Sequence, residues 1–366
     1  MHNKSILAAS LAVAFSMSAC TTTSTPTEKA APEAAIATTG VVGNGVDYPV
    51  PADKFDMTNW KITIPSDINK DGRVDEIEGV AMMSYSHNDF FFLDKDGNMV
   101  FEVQNQAITT KNSKNARSEL RQMPRGAKFH IDTAAPLNNF ALAANAKAAE
   151  YSSIGGTLEA TLKVNHVSEH AKFPEKPPAH SVVVGQIHAK KYKDQIKAKT
   201  GFGHGNEPLK IYFKKFPGHK YGSVFWNYER NLAKKDPNRQ DIALPVWGNT
   251  WENQAEPGEA GIALGEEFSY KVNVEGNIMH LTFETARHKP VTYDIDLSKG
   301  FDEKDYSGGY AGDAFYFKAG AYGQCSVSEK HAVWGTGCAG TGDFAADKKT
   351  GDYNSVTFSK LKLNGK

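Results

Sequence analysis

The sequence predicts an all-β protein, two antiparallel sheets packed as a sandwich or jelly roll, and three observations carry that expectation. Apolar and polar residues alternate along most of the chain from Asn59 onward, and turn residues separate the alternating runs. Glycine and aromatic residues are abundant, with 32 Gly, 20 Phe and 14 Tyr in 366 residues, which suits turns and aromatic strands better than helical bundles. Helical periodicity is scarce, and neither βαβ alternation nor an internal repeat is present, so a parallel fold with crossover helices is not expected. Lys and Arg together number 42, as do Asp and Glu, so the net charge is zero. A nucleic-acid binder would show a basic excess that this chain lacks.

The chain opens with an export signal. Lys4 precedes the apolar run Ile6 to Phe15, and the small residues Ser18 and Ala19 precede Cys20. The run is too short to span a membrane. Small residues before a cysteine resemble the lipobox of bacterial lipoproteins, which makes Cys20 the expected lipidation site. Met17 departs from the Leu usual in that motif, and ordinary secretory cleavage nearby is the alternative. The expected location is an outer-membrane-anchored lipoprotein, otherwise periplasmic or secreted, with membrane contact only through the lipid. Residues 21–45 are rich in Thr, Ala and Pro without an aromatic residue, and read as a flexible linker. Residues 46–366 form the expected folded domain, taken to be monomeric.

Within that domain the strands follow in order. Trp60 to Ile64 is the first; Phe90 to Leu93 turns through Asp96-Gly97 into Met99 to Val103; Leu158 to Val164, Ser181 to His188, Leu209 to Phe213 and Val224 to Tyr228 come next. Phe268, Tyr270, Val272 and Val274 alternate with polar residues, Glu275-Gly276-Asn277 turns the chain, and Met279, Leu281 and Phe283 alternate on the return. Val291 to Leu297, Phe315 to Tyr322 and Val356 to Leu363 complete the set. Long polar stretches between His188 and Phe268 read as loops over one face, in a place where loops often carry function.

Side chains two apart on a strand share a face. By that rule Arg117, Glu119 and Arg121 share one face, Gln186 and His188 another, and Tyr316, Lys318, Tyr322 and Gln324 a third. Any one of these is an ordinary solvated face. Together they suit an extended anionic ligand, because Arg binds carboxylate bidentately, Lys adds charge, and Tyr packs on a sugar ring while its hydroxyl moves a proton.

The blocks RSELR at 117–121, QIH at 186–188 and YFKAGAYGQ at 316–324 resemble, in this order, the three signatures of polysaccharide lyase family 7, the alginate lyases. NWKITIP at 59–65 resembles the strand that opens that family's domain, and the similarity runs from about Tyr48 to the C-terminus. The resemblance implies a β-jelly roll of the concanavalin A-like kind, with a concave groove that holds alginate and cleaves it by β-elimination. It further implies that Arg117 and Gln186 contact the uronate carboxylate and stabilise the enediolate-like state. Tyr322 is then the acid, and also the base on mannuronate, while His188 is the base on guluronate. Glu119, Arg121, Tyr316, Lys318 and Gln324 would line subsites or orient these groups. No cofactor is expected for this step. The QIH form of the second block is associated in the family with guluronate-containing chains.

Two rivals remain: a lyase of the same fold on another uronate polymer, and a non-catalytic carbohydrate-binding module. The module has no need of an acid and a base beside a carboxylate clamp. A glycoside hydrolase needs two placed carboxylates, and Glu119 alone is found on these faces.

Other motifs serve stability or nothing. With Cys20 set aside, Cys325 and Cys338 remain in an exported protein and are expected to pair. Asp67, Asn69, Asp71, Arg73, Asp75 and Glu78 match a calcium loop at every ligand position, including Gly72, so a structural calcium is expected there. His166, Glu169 and His170 match an inverted zinc-peptidase pattern, but they follow a strand and precede a Pro-rich stretch where that chemistry needs a helix. The glycines at 335, 337 and 340 match a dinucleotide fingerprint without the strand and helix it requires. Trp226, Trp247 and Trp251 either stack on sugars at the groove ends or pack within the protein.

Overall fold

The computed structural model describes residues 49–364. The strands, in chain order, begin with β1 (Trp60–Ile64), β2 (Asp75–Glu78), β3 (Phe91–Leu93), β4 (Met99–Gln104), β5 (Arg117–Gln122) and β6 (Phe140–Ala141). Next come β7 (Ser153–Ile154), β8 (Gly156–His166), β9 (Ser181–Ala189), β10 (Leu209–Lys214), β11 (Tyr221–Glu229) and β12 (Asp241–Trp247). The last are β13 (Ile262–Ala263), β14 (Glu267–Glu275), β15 (Ile278–Glu284), β16 (Val291–Asp296), β17 (Ala314–Gly323) and β18 (Tyr353–Leu363). Two short α-helices, Lys193–Lys197 and Phe344–Thr350, lie outside the sheets.

The larger sheet runs β12-β11-β10-β9-β17-β5-β1-β2, with β13, β6 and β7 attached off this path. The smaller runs β16-β15-β14-β8-β18-β4-β3. Neighbours pair antiparallel apart from the short parallel contact of β6 with β7. This is the two-sheet jelly roll that the alternation implied.

Burial differs between the sheets. In β14 exposed or half-buried residues alternate strictly with buried Phe268, Tyr270, Val272 and Val274, as expected of a sheet with one wet face. In β9 almost every residue is buried on both faces. Ile187 there joins Leu120, Phe317 and Ala319 in the core between the sheets, opposite Leu162 and Phe358. Tyr270 ties the layers by donating its hydroxyl to the Val184 carbonyl at 3.1 Å. A Cβ on Gly185 would lie 2.6 Å from that hydroxyl oxygen, so the close approach needs glycine. The outer face of the larger sheet is equally dense, but polar: Lys61, Glu119, Arg121, Gln186, Asn227 and Lys318 are all buried on it.

Several expectations are corrected. The stretch taken as loop before Phe268 contains β12, an edge strand that Pro245 had disguised; proline lacks the N–H a central strand needs and is tolerated at an edge. Trp226 and Trp247 are core residues, 0% and 4% exposed, and are not available to stack on a ligand. In the expected calcium loop the acidic and amide side chains also bond within the turn. Asp67 accepts the N–H groups of Asp71 and Gly72, Asn69 that of Asp71, and Asp71 that of Arg73, so the turn is wound by its own side chains. Asp75 instead accepts from Ser66 and Ile68. Asp75 to Glu78 form strand β2, and Glu78 pairs with Arg125 at 2.7 Å. Among the described residues no three carboxylate, imidazole or thiolate side chains converge to hold a metal.

Cys325 and Cys338 are bonded as expected, with Cα atoms 5.5 Å apart. His166 and His170 sit on and after a strand end, bonded to Gly351 and Asp352, which bears out the dismissal of the zinc motif. The export signal with Cys20, and the linker at 21–45, lie outside the described residues.

Candidate active site

Strand β17 lies between β9 and β5, and the register fixes which side chains meet. Lys318 stands opposite Gln186 on one side and Arg121 on the other; Tyr316 faces His188, and Tyr322 faces Arg117. The three polar blocks therefore form one surface. Gly320 makes this possible: its φ is +142°, and a Cβ there would meet the Ser118 carbonyl oxygen at 2.6 Å. The ladder shifts register between Ala319 and Tyr322 at the same point, so the glycine accommodates the irregularity inside a catalytic block.

Glu119 is the hub. Its side chain is 2% exposed and receives Arg117 Nη1 at 2.8 Å, Lys318 Nζ, and Gln186 Nε2. Burial alone would raise its pKa, but Lys318 and then Arg117 outweigh it and hold the carboxyl below its usual value. For Lys318 burial wins, with Arg117 adding repulsion, and the ammonium is pushed down to about 8 despite Glu119. Burial likewise opposes the charge on Arg117, yet Tyr322 and Glu119 together raise its pKa. Arg117 keeps Nε buried without a partner, so the guanidinium retains donor capacity for an incoming carboxylate. Gln186 commits one amide N–H to Glu119 and leaves its Oε1 unpartnered.

The partly exposed groups flank this knot. Tyr322 lies on one side, its ring 3.8 Å from the Arg117 guanidinium carbon and its hydroxyl 3.1 Å from Ser113 Oγ. His188 lies on the other, stacked on Tyr316 with ring centroids 5.2 Å apart. Its Nδ1 donates to the Ala189 carbonyl at 2.7 Å and its Nε2 is 3.1 Å from Glu207 Oε1. A fixed charged knot with a phenol on one flank and an imidazole on the other is equipped to neutralise a carboxylate and move protons beside it.

A family model described as alginate lyase matches residues 55–365. The chain belongs to the alginate lyase family. It is 35% identical over 323 residues to an alginate lyase of Klebsiella pneumoniae, covering 86% of this chain and 91% of the relative. The crystal structure of the alginate lyase from Klebsiella pneumoniae is similar with a TM-score of 0.67 and 30% identity, covering 86% of this chain and 98% of that one. An exolytic alginate lyase of polysaccharide lyase family 7 from Zobellia galactanivorans gives a TM-score of 0.67 and 33% identity, covering 84% and 95%.

In this alginate lyase family member the expected site residues do not all play one part. Arg117, Gln186, His188 and Tyr322 gather around the knot, and Tyr316 stacks beside His188. Arg121 is on the expected strand but buried, with its guanidinium bonded to Gln122 O at 2.9 Å and Asn139 Oδ1 at 3.0 Å and stacked 3.9 Å over Tyr316. It supports Tyr316 and is not a free subsite. Glu119 and Lys318 neutralise each other beneath the groove. Gln324 lies beyond the end of β17 and donates to the Tyr322 and Gly323 carbonyls, so it turns back on its own chain.

Residues the sequence did not reveal complete the alginate lyase site. Ser113 reaches Tyr322 from a polar loop. Glu207 reaches His188 from the Gly-rich segment before β10, and Lys210 lies 3.6 Å from Glu207 and 3.0 Å from Asp241. The pairing of Leu209 with Ile187 is the signal that would have placed Glu207 near His188, and it is a long-range register no local pattern contains. Trp251 packs edge-on against Tyr212 and Phe225, shares that cluster with Tyr322, and meets Trp334 of the disulfide loop at 6.4 Å. A separate cavity of about 680 Å³ near His170, His180, Phe216 and His219 contains none of the knot residues, so the chemistry belongs to the open sheet face.

Proposed function

We propose that the protein cleaves the 1,4 glycosidic bond of alginate by β-elimination, giving unsaturated oligosaccharides. The observation that carries the reading is the Arg117–Glu119–Lys318–Gln186 knot between Tyr322 and His188. The C5 proton of a uronate becomes removable only when the charge of its carboxylate is offset. Arg117 supplies that charge, Gln186 adds a hydrogen bond, and Glu119 holds both in place, so no reorganisation is needed as the enediolate-like state develops. The base takes the C5 proton, the C5–H electrons form the C4–C5 double bond, the C4–O bond breaks, and the acid protonates the leaving oxygen. Tyr322 is the acid. It is also the base on mannuronate, where proton and leaving group lie on one side, and His188 is the base on guluronate.

Attack from a chain end is the form of cleavage we favour. Trp251, which packs on the same cluster as Tyr322, meets Trp334 of the disulfide loop and could close the sheet face on that flank, and a relative of 33% identity is described as exolytic. We also place the protein outside the cytoplasm as a monomer tethered through lipidated Cys20. Cys20→Ala should release it from the membrane fraction, and an unchanged distribution would count against the anchor.

The test follows ultraviolet absorbance while protein lacking its first 20 residues acts on alginate, with pectate and hyaluronate as controls. A rise on alginate alone is expected, since elimination creates a double bond conjugated to the carboxylate and hydrolysis does not. No rise on any polymer while alginate still binds would replace this reading with a binding module. Early appearance of short products with little loss of viscosity is expected of end-wise attack, and a rapid fall in viscosity would refute it.

A further inference from the structure

We propose that Glu207 is a positioning residue for His188, engaging Nε2 in the free enzyme so that this nitrogen becomes a proton acceptor only once the contact is released. The inference rests on the reading of His188 as the base for guluronate.

The geometry fixes the protons. The Ala189 carbonyl can only accept, so His188 Nδ1 carries a hydrogen in their 2.7 Å contact. Nε2 faces Glu207 Oε1 at 3.1 Å. If Glu207 is charged, that contact places a second hydrogen on Nε2 and leaves the ring no lone pair. Glu207 is built to be charged. Burial opposes this, but Lys210 and His188 outweigh it, and its carboxyl is held well below the usual range. Lys210 itself is pinned by Asp241 at 3.0 Å.

The other groups around His188 do not substitute for Glu207. Tyr316 of β17 stacks on the ring nearly parallel, at 11°, with Arg121 on its far side. Gln186 on the same strand bonds Glu119. Glu229 of β11 lies behind Glu207, accepting its backbone N–H at 2.9 Å and sharing a side-chain hydrogen bond with it; burial, and then Glu207, push the Glu229 carboxyl well above the usual range although Arg239 lies at 2.6 Å, so the proton of this pair sits on Glu229. Glu207 is therefore the one carboxylate, among the described residues, in contact with the imidazole. The base needs a free Nε2, so the proton there must leave for Glu207 Oε1 or solvent before the C5 proton can take its place. Mannuronate, handled by Tyr322 at the other flank, needs no such release.

The experiment compares Glu207→Gln with the parent protein in two ways. Nitrogen NMR of labelled histidine reads the ring directly: in the variant the His188 Nε2 signal should change on loss of the carboxylate contact, while Nδ1, held by the Ala189 carbonyl, should not. kcat and KM are then measured separately on guluronate and mannuronate blocks. For the variant kcat on guluronate should rise, and both constants on mannuronate should stay as in the parent. Glu207→Asp, which retracts the carboxylate but keeps its charge near Lys210, should move guluronate turnover in the same direction and serves if the glutamine variant does not fold. An unaltered His188 signal, or equal changes on both blocks, overturns the proposal. Should neither polymer be cleaved, the elimination reading fails while the NMR comparison still decides the Glu207–His188 contact.

Discussion

Replacing Glu119 with glutamine removes the one negative charge between two buried cations. The side chains of Glu119, Lys318 and Arg117 are 2%, 8% and 13% exposed, so water cannot take over the lost role. Breaking a buried pair by deleting one partner costs about 3–5 kcal/mol, because an uncompensated charge is left behind. Here two cations lose their partner at once, and Lys318, pushed down to about 8 even beside Glu119, gives up its proton more readily. A stability loss of about that size is expected in denaturant unfolding, together with a fall of about 10²- to 10³-fold in turnover, the cost of misplacing one preorganised donor. Lys318→Met supplies the control. With that ammonium gone, Glu119→Gln leaves one stranded cation in place of two, so the double variant should be more stable than the two single losses added together, by about 0.5–3 kcal/mol. A loss under about 1 kcal/mol for Glu119→Gln, the range of exposed ion pairs, refutes the hub. Strict additivity in the cycle would refute the coupling between Glu119 and Lys318.

Other consequences are open to direct measurement. Tyr322→Phe should abolish turnover and leave polymer binding nearly intact; a rate near that of the parent would remove Tyr322 from the mechanism. Asp313 is fully buried, and burial pushes its carboxyl up to about 7 despite N–H donors from Gly203 and Asn231. A raised folded-state pKa contributes stability that is complete below the unfolded pKa of about 4 and is lost as pH rises through 7. Asp313→Asn should therefore flatten the decline in Tm between those limits, whatever its absolute Tm; an unchanged slope would assign the decline to other groups. Reducing Cys325–Cys338, which closes a short loop, should cost about 3 kcal/mol in unfolding experiments, and no change would show that the loop is ordered without it. Chelation should lower Tm, as expected of a structural calcium at Asp67 to Glu78; no shift would leave that site unsupported.

The sheets were legible because their signal is local. Alternation along 268–274 and 279–283, with a glycine turn between them, determines a hairpin from neighbouring residues alone, and β14 and β15 occupy those positions. Of the strands that were not foreseen, the longest, β12, has a polar start and a proline, and its place depends on an edge position that only the assembled sheet supplies. The same distinction divides the site. Which residues of β5, β9 and β17 share a face follows from the period of two. Whether that face is wet does not, since alternation looks identical when the polar side is solvated and when it is packed into a charged knot. That is why the sequence leaves open whether Arg121 lines a subsite or orients its neighbours, while the structure shows it buried against Tyr316. It is also why Glu207 and Ser113 were invisible: each meets its partner through a pairing between distant segments.

The burial of so much charge has its own logic. Lys318, Arg121 and Glu119 would be cheaper to fold as apolar residues, since buried ion pairs seldom outdo hydrophobic packing. Their arrangement makes sense as preparation for an anion. The knot carries two cations against one carboxylate, an excess that a substrate carboxylate completes. Burial, and then repulsion from Arg117, push Lys318 down to about 8 while Glu119 stays charged. Binding the substrate anion should therefore raise the proton affinity of Lys318. If so, the alkaline limb of kcat/KM should lie near pH 8 in the free enzyme, and that of kcat should lie higher. Coincident limbs would mean that the knot does not respond to the charge it is arranged to receive.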